Sequence, residues 1–410
     1  MRRIACRKIV VASSGLGHVS RGIEAWANDL SRALAERGFD VRLCKGAGEA
    51  AESREYVASC WQRDSARTAR LLEGLPKRGS WRLGLGSGYD IEQTTFAWSL
   101  LRLLRRQRID LVHVQDPRVA LLVQRAGRLG LVKTRVILGH GTEEPLKFLS
   151  KINYLQHLAP WHLEEARAAG VWKPTWTAIP NFIDVEQFAR GEAGALRAEL
   201  GIPEDAIVAL AAAAIKRSHK RIDWLIGEFA ELRRRRPDLP VWLVVAGGRE
   251  GETNELVAEG RRRLGDSVRF LVRFPRERMR ELYRSSDIFM LGSLKEMMPI
   301  ALLEAASSGL PCLVHPHPVM QWMIGPGGRA VDMTAPGTLA NTLMEFASDA
   351  RLRTKLGAAA RRHCVENFSK DRVVDQILDY YRFVLDDGRK GPKLPKDERF
   401  TETTEPERAA

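Results

Sequence analysis

The chain has 410 residues, 44% of them hydrophobic, so it can bury two cores of ordinary size and is soluble by composition. Lys and Arg number 65 against 51 Asp and Glu, a net charge of +14 that suits an anionic small substrate, an anionic membrane surface or nucleic acid. The basic residues are spread over many predicted helices and no nucleic-acid signature is present, which excludes nucleic acid as the partner. The cysteines (Cys6, Cys44, Cys60, Cys312, Cys364) are odd in number and lack metal-ligand spacing, so they read as reduced core residues of a cytoplasmic protein.

The basic start is followed by an apolar run too short for a signal peptide, since Arg7 and Lys8 interrupt it, and no stretch is long enough to span a membrane. Ile9 to Ala12 is a parallel-sheet strand by its Val/Ile content, and Ser14-Gly15-Leu16-Gly17-His18 turns it into a helix reaching Arg37. Gly15, Gly17 and Ser20 nearly match a dinucleotide fingerprint. The third glycine is replaced, however, and no acidic residue ends the next strand, Val41 to Cys44, which argues against a nicotinamide dehydrogenase. The loop is then either a tight strand-to-helix turn or a place where backbone approaches phosphate.

Between residues 46 and 108, Arg63, Arg67 and Arg70 recur beside Trp61, Leu71 and Leu72, and Leu100 to Arg106 repeats the pattern. Such basic amphipathic helices either lie on anionic lipid or carry solvated arginines on core-facing helices, the simpler reading. Two strand–helix units follow, from Asp110 to Val114 and from Arg135 to Leu138. The second ends in Gly139-His140-Gly141, a histidine where ligands bind in open α/β sheets, although a lone histidine is often only a local hydrogen-bonding residue.

Residues 185 to 205 hold charges, glycines and Pro203, a linker-like composition that would hinge two domains. Ile207 to Ile215 opens a second strand–helix series. Lys216-Arg217-Ser218-His219-Lys220-Arg221 then precedes a helix from Ile222 to Arg235, and is either a diphosphate site or a solvated charge run. Val241 to Val245 runs into Gly247, another strand-end loop, and Val268 to Leu271 leads to the loop 272–275.

Strand Asp287 to Leu291 is followed by a loop with Glu296, a helix with Pro299 as its first residue, Glu304 inside it and Gly309 at its end, then strand Pro311 to Val314. Glu304 interrupts an otherwise apolar helix. A buried unpaired carboxylate costs several kcal/mol, so Glu304 is paired, or awaits a polyol, or lies on an exposed stripe. A helix from Asp371 to Leu385 closes the chain before a charged tail, 387–410, that reads as disordered.

The pairing of Glu296 with Glu304, seven residues lying between them, with the exit Gly309-Leu310-Pro311, resembles the signature of the retaining glycosyltransferases of family 4, also called group 1, which have the GT-B fold. Trp176 to Asp184 is similar to the family's Ile-Pro-Asn-Gly-Val-Asp segment, with Phe182 in place of the glycine. The resemblance implies an α/β protein of two Rossmann-like doubly wound domains facing across a cleft. They would comprise an acceptor-side domain (1–184), a linker (185–205), a nucleotide-sugar domain (206–368) and a helix crossing back (369–386).

It further implies that Glu296 and His140 lie beside the donor sugar and that Glu304 holds the ribose hydroxyls. Gly15 and Gly17 would face the diphosphate, Lys220 would meet it with Lys216 standing in where Ile215 replaces an arginine, and Gly247, Met298 and Ile300 would line the donor site. Pro299 has no amide to offer there, and the loop 272–275 would meet the base through its backbone. There is no Asp-x-Asp at a strand end, so no metal or other cofactor is expected.

The implied activity is retaining transfer from a UDP- or GDP-linked sugar to a sugar, lipid-linked or small-molecule hydroxyl in glycoconjugate or polysaccharide synthesis. The protein would be cytoplasmic, with peripheral contact to anionic membrane. The alternatives are a GT-B epimerase or phosphorylase, or a silent nucleotide-sugar-binding protein.

Overall fold

The computed structural model describes residues 7–19, 22–75, 84–189, 191 and 195–386. Cys6, Ser20 and the tail 387–410 lie outside these.

The first sheet holds β1 (Lys8–Ser13), β2 (Asp40–Lys45), β3 (Glu55–Val57), β4 (Leu111–Val114), β5 (Arg135–His140), β6 (Tyr154–His157) and β7 (Thr177–Ala178), all parallel, in the order β3-β2-β1-β4-β5-β6-β7. Its helices are α1 (Gly22–Glu36), α2 (Ala66–Gly74), α3 (Gly88–Gln107), α4 (Pro117–Arg128), α5 (Leu146–Leu149) and α6 (Pro160–Ala168). After α7 (Leu196–Glu199) comes a second parallel sheet of β8 (Ile207–Ala212), β9 (Val241–Gly247), β10 (Val268–Val272), β11 (Ile288–Met290), β12 (Cys312–Val314) and β13 (Gly328–Ala330), ordered β10-β9-β8-β11-β12-β13. Around it lie α8 (Ile222–Arg235), α9 (Thr253–Leu264), α10 (Met279–Arg284), α11 (Ile300–Ser307), α12 (Pro318–Ile324), α13 (Thr338–Ser348) and α14 (Ala350–Phe368), and α15 (Lys370–Asp386) ends the described chain.

Successive strand residues point to opposite faces, and in a sheet covered on both sides each face must be apolar. Ile9 and Val11 therefore pack with Trp26 and Leu30 of α1, while Val10 and Ala12 pack with Phe96 of α3 and Val119 of α4. The second sheet repeats the division: Val208 and Leu210 join one core layer with Leu302 and Leu303, and Ala209 and Ala211 join another with Leu225 and Phe229.

The chain crosses between the domains twice. Phe188, Leu196 and Ile202, from the stretch whose composition reads as a linker, sit in the second domain's core. On the return, Ile183 N–H donates to the Phe368 carbonyl and Lys370 N–H to the Ile183 carbonyl, both at 2.9 Å, so the two crossings run side by side. α15 then buries Val373, Ile377, Tyr381 and Val384 on the first domain. There the buried Tyr381 hydroxyl lies 2.8 Å from His113 Nδ1. No helix of the described residues is long and apolar enough to cross a membrane.

Candidate functional site

In each sheet the strand order reverses once, between β1 and β4 and between β8 and β11, and the loops leaving the carboxyl ends of those strands diverge to leave a crevice. The second domain's crevice is lined by residues 213–221 after β8 and 291–299 after β11. Glu296 and Lys220 meet across it: the Lys220 ammonium donates to Glu296 Oε1, Ser293 Oγ donates to the same oxygen at 2.6 Å, and His219 Nε2 stands 3.3 Å from Oε2. Burial pushes the Glu296 carboxyl up, but His219, Lys220 and Ser293 together outweigh it and hold the pKa at about 2. The Lys216 side chain, half-buried in the same loop, has no partner among the described residues.

The backbone makes this convergence possible. His219 (φ 65°) and Arg221 (φ 51°) adopt left-handed conformations, which fold the basic loop back on itself before α8 begins. On the other side, Pro299 occupies the cap position of α11 (φ −72°, ψ 116°), one residue earlier than the first helical position expected from sequence. Ile300 thus begins the helix, and its start faces the start of α1 in the other domain, where a Cβ on Gly22 would touch the Ile300 side chain at 3.7 Å.

Glu304 is almost fully buried, at 1% exposure, and has partners in place. The Tyr283 hydroxyl donates to its Oε2 at 2.7 Å, and the half-exposed Arg276 guanidinium forms an ion pair with Oε1. Asp29 of α1 completes the group from the first domain; burial raises its pKa and Arg276 partly offsets the rise. The oddity of a carboxylate in an apolar helix is therefore resolved by pairing, at the seam between domains.

On the first domain, Gly17 (φ 102°) presses against the Ala47 carbonyl, which any Cβ would overlap, and Gly247 meets the Ala213 carbonyl in the same way. Both glycines are thus required by backbone packing. His140 is the last residue of β5 rather than a loop residue, and register places it opposite His157 of β6, with the two Nδ1 atoms 3.0 Å apart. Burial, reinforced by the neighbouring His162 and Lys295, lowers the His140 pKa to about 3 and leaves it neutral; its Nε2 has no hydrogen-bond partner among the described residues.

The 293–299 loop reaches this region from the second domain: Lys295 stands 3.8 Å from Glu143, and Asn181 N–H donates to Met298 Sδ at 3.1 Å. Glu296, Lys220, Met298 and Ile300 are thus gathered at one cleft with the first domain opposite. Sequence reasoning missed His219, whose only signal was its place beside Lys220. It also missed Arg276, Tyr283, His157 and His162, which converge through tertiary structure alone. Among the described residues no three of His, Cys, Asp and Glu are grouped as metal ligands.

Two doubly wound domains meeting at their switch points form the GT-B architecture of glycosyltransferases. The profile "Glycosyl transferases group 1" matches residues 193–363 and "Glycosyltransferase Family 4" matches 20–187, a division that falls in the interdomain segment. The chain belongs to this glycosyltransferase family. It is similar to the D-inositol 3-phosphate glycosyltransferase 1 of Catenulispora acidiphila, 28% identical over 291 residues, 66% of this chain and 68% of that one. Further curated relatives are matched over about half of their own length. Among solved structures, sucrose-phosphate synthase from Thermosynechococcus elongatus superposes with a TM-score of 0.74 at 16% identity, covering 92% of this chain and 99% of that one. Anabaena HepE, solved with UDP-glucose, superposes at 0.71 with 15% identity, covering 92% and 99%.

Proposed function

We propose that the protein transfers a sugar from a UDP- or GDP-linked donor to an acceptor hydroxyl with retention of configuration and without a metal ion. The observation that carries this reading is the Lys220–Glu296 pair at the second domain's switch point. The donor diphosphate would lie against the basic loop, its charge met by Lys220, by the unengaged Lys216 and by the amides at the start of α11 near Ile300. Gly15 and Gly17 would close over it from the first domain, and Glu304 would exchange Arg276 for the ribose hydroxyls.

Retention is favoured by the acid–base character of the two groups nearest the sugar. Inversion needs a base of matched pKa on the far face, and a carboxylate at about 2 or a histidine at about 3 is a poor base at neutral pH. The departing diphosphate oxygen would take the acceptor proton on the same face as the sugar–phosphate bond breaks and the acceptor–sugar bond forms. Glu296 would accept sugar hydroxyls, and the free His140 Nε2 would orient another.

UDP-glucose and inositol 3-phosphate are the first donor and acceptor to try, given the names of the neighbour and the relatives. The test is nucleotide diphosphate release from UDP-, GDP- and ADP-sugars in EDTA buffer, with Glu304→Ala alongside and the product anomer read by NMR. Release from one donor that is lost in the variant supports the reading. No release and no binding from any donor overturns it, and an inverted anomer overturns the retaining step.

A further inference from the structure

Basic residues are spread along the chain, but one flank of the first domain is short of the acids that would balance them. From Gln93 to Ile109 and from Pro117 to Thr142 the sequence holds no Asp or Glu, against four and five Lys or Arg respectively. Some exposed arginines elsewhere are answered by carboxylates, as in Arg234 with Glu231 at 2.7 Å and Arg236 with Asp238 at 2.6 Å. In contrast, Arg102, Arg105 and Arg106 on α3 and Arg125 on α4 are exposed with no carboxylate partner among the described residues.

The same flank carries the three most exposed large hydrophobic side chains of the described residues: Leu129 at 76%, Trp98 at 62% and Leu131 at 54%. Trp98, Arg102 and Arg105 follow one another at helical spacing and form one outward stripe. Trp98 and Arg102 also line a surface groove of about 350 Å³ with Trp61 and Arg67, whose guanidinium lies 3.8 Å over the Trp61 ring.

Orientation follows from topology. α3 and α4 both run antiparallel to the parallel strands, so they end together, bringing Arg105, Arg106, Arg125 and Leu129 to one edge. α3 begins at the cleft, where Glu92 accepts from Ser14 Oγ at 3.1 Å, one residue before Gly15. The basic flank therefore extends from beside the glycine loop to the far end of the domain.

Uncompensated arginines fit any polyanion, but a soluble polyanion offers nothing to exposed leucines. A tryptophan and leucines projecting among arginines fit the headgroup boundary of a bilayer, where phosphates meet the guanidinium groups and the apolar side chains leave water. We propose that the α3–α4 flank docks the protein on an anionic membrane, with Trp98 and Leu129 entering the interface. The cleft then opens at the membrane edge.

The experiment is sedimentation of the full chain with phosphatidylcholine vesicles with and without about one-third phosphatidylglycerol, at low and high salt. At roughly a fivefold affinity contribution per arginine, the variant Arg102→Gln/Arg105→Gln/Arg106→Gln binds about 100-fold more weakly than wild type. Circular dichroism and the melting midpoint verify that it is folded. Vesicles of brominated lipid quench part of the wild-type tryptophan emission, and Trp98→Phe loses that part. Equal binding to neutral and anionic vesicles, or a triple variant that binds like wild type, overturns the proposal. Capture by heparin without quenching by brominated lipid also overturns it and assigns the flank to a soluble polyanion.

Discussion

Glu296 and His140 are both weak bases at neutral pH, for opposite reasons: one has its charge stabilised by cations, the other has its charge excluded by burial. Replacing Lys220 by Met removes a cation from the diphosphate and from Glu296 together. Turnover is expected to fall by about 10²- to 10³-fold, the loss typical of one preorganised electrostatic donor. Because Glu296 titrates at about 2, the wild-type pH–rate profile has no acid limb from it above pH 4 or so. In Lys220→Met that limb moves upward toward the ordinary carboxylate range. A stopped nucleotide-release assay from pH 4 to 8 measures both effects.

His140 and His157, lowered to about 3 and about 2, act on stability instead. The unfolded chain binds protons at these residues from pH 6.5 downward while the native chain does not, so stability falls with pH across that window. The loss is about 1.4 kcal/mol per histidine at pH 5.5. Denaturation midpoints at pH 7.5 and 5.5 should differ accordingly, and the difference should shrink in His140→Gln.

At the scale of elements, α11 places Glu304 between Tyr283 and Arg276. Glu304→Gln keeps a partner for the tyrosine but offers the ribose one acceptor oxygen in place of two. The donor KM is expected to rise about 10-fold with the melting midpoint nearly unchanged, given what one hydrogen bond to a charged group contributes. A kcat loss with KM intact would sink this assignment.

α8 begins and ends where sequence places it, because Ile222 to Arg235 keeps a helical apolar period and a basic end. Strands such as β1, β5, β8 and β9 were equally legible as short apolar runs, whereas β3, β6, β7 and β13 were not picked out. Pro299 was placed one position too far in because a proline suits both the cap and the first turn. Illegible altogether was what β5 brings to β6. His140 and His157 are adjacent only through strand register, and nothing in either segment announces the other. The same holds for Arg276, whose partner lies in another element and whose neighbour Asp29 lies in another domain.

For the whole molecule, α15 belongs by sequence to the second half and by packing to the first. Val373, Ile377, Tyr381 and Val384 are fully buried there, worth about 1.5–3 kcal/mol each. A chain ending at Ser369 is expected to lose soluble expression, or to retain it with amide-exchange protection of β1 greatly reduced. Tyr381→Phe, which leaves His113 Nδ1 unpaired, should cost about 1–3 kcal/mol by denaturation. The return helix could be read from its amphipathic period, but its landing place came from family resemblance. Apolar spacing says that a helix has a partner without saying which.

That landing place also orders events in time. The first domain leaves the ribosome early, yet the face of its sheet carrying Ile9, Val11 and Ile137 lacks its second cover until α15 has been made. At about 5–20 residues per second, the roughly 200 residues between the end of that domain and the end of α15 take about 10–40 s to synthesise. The domain translated first is thus completed last, and its nascent form presents an apolar patch to chaperones throughout synthesis of the second.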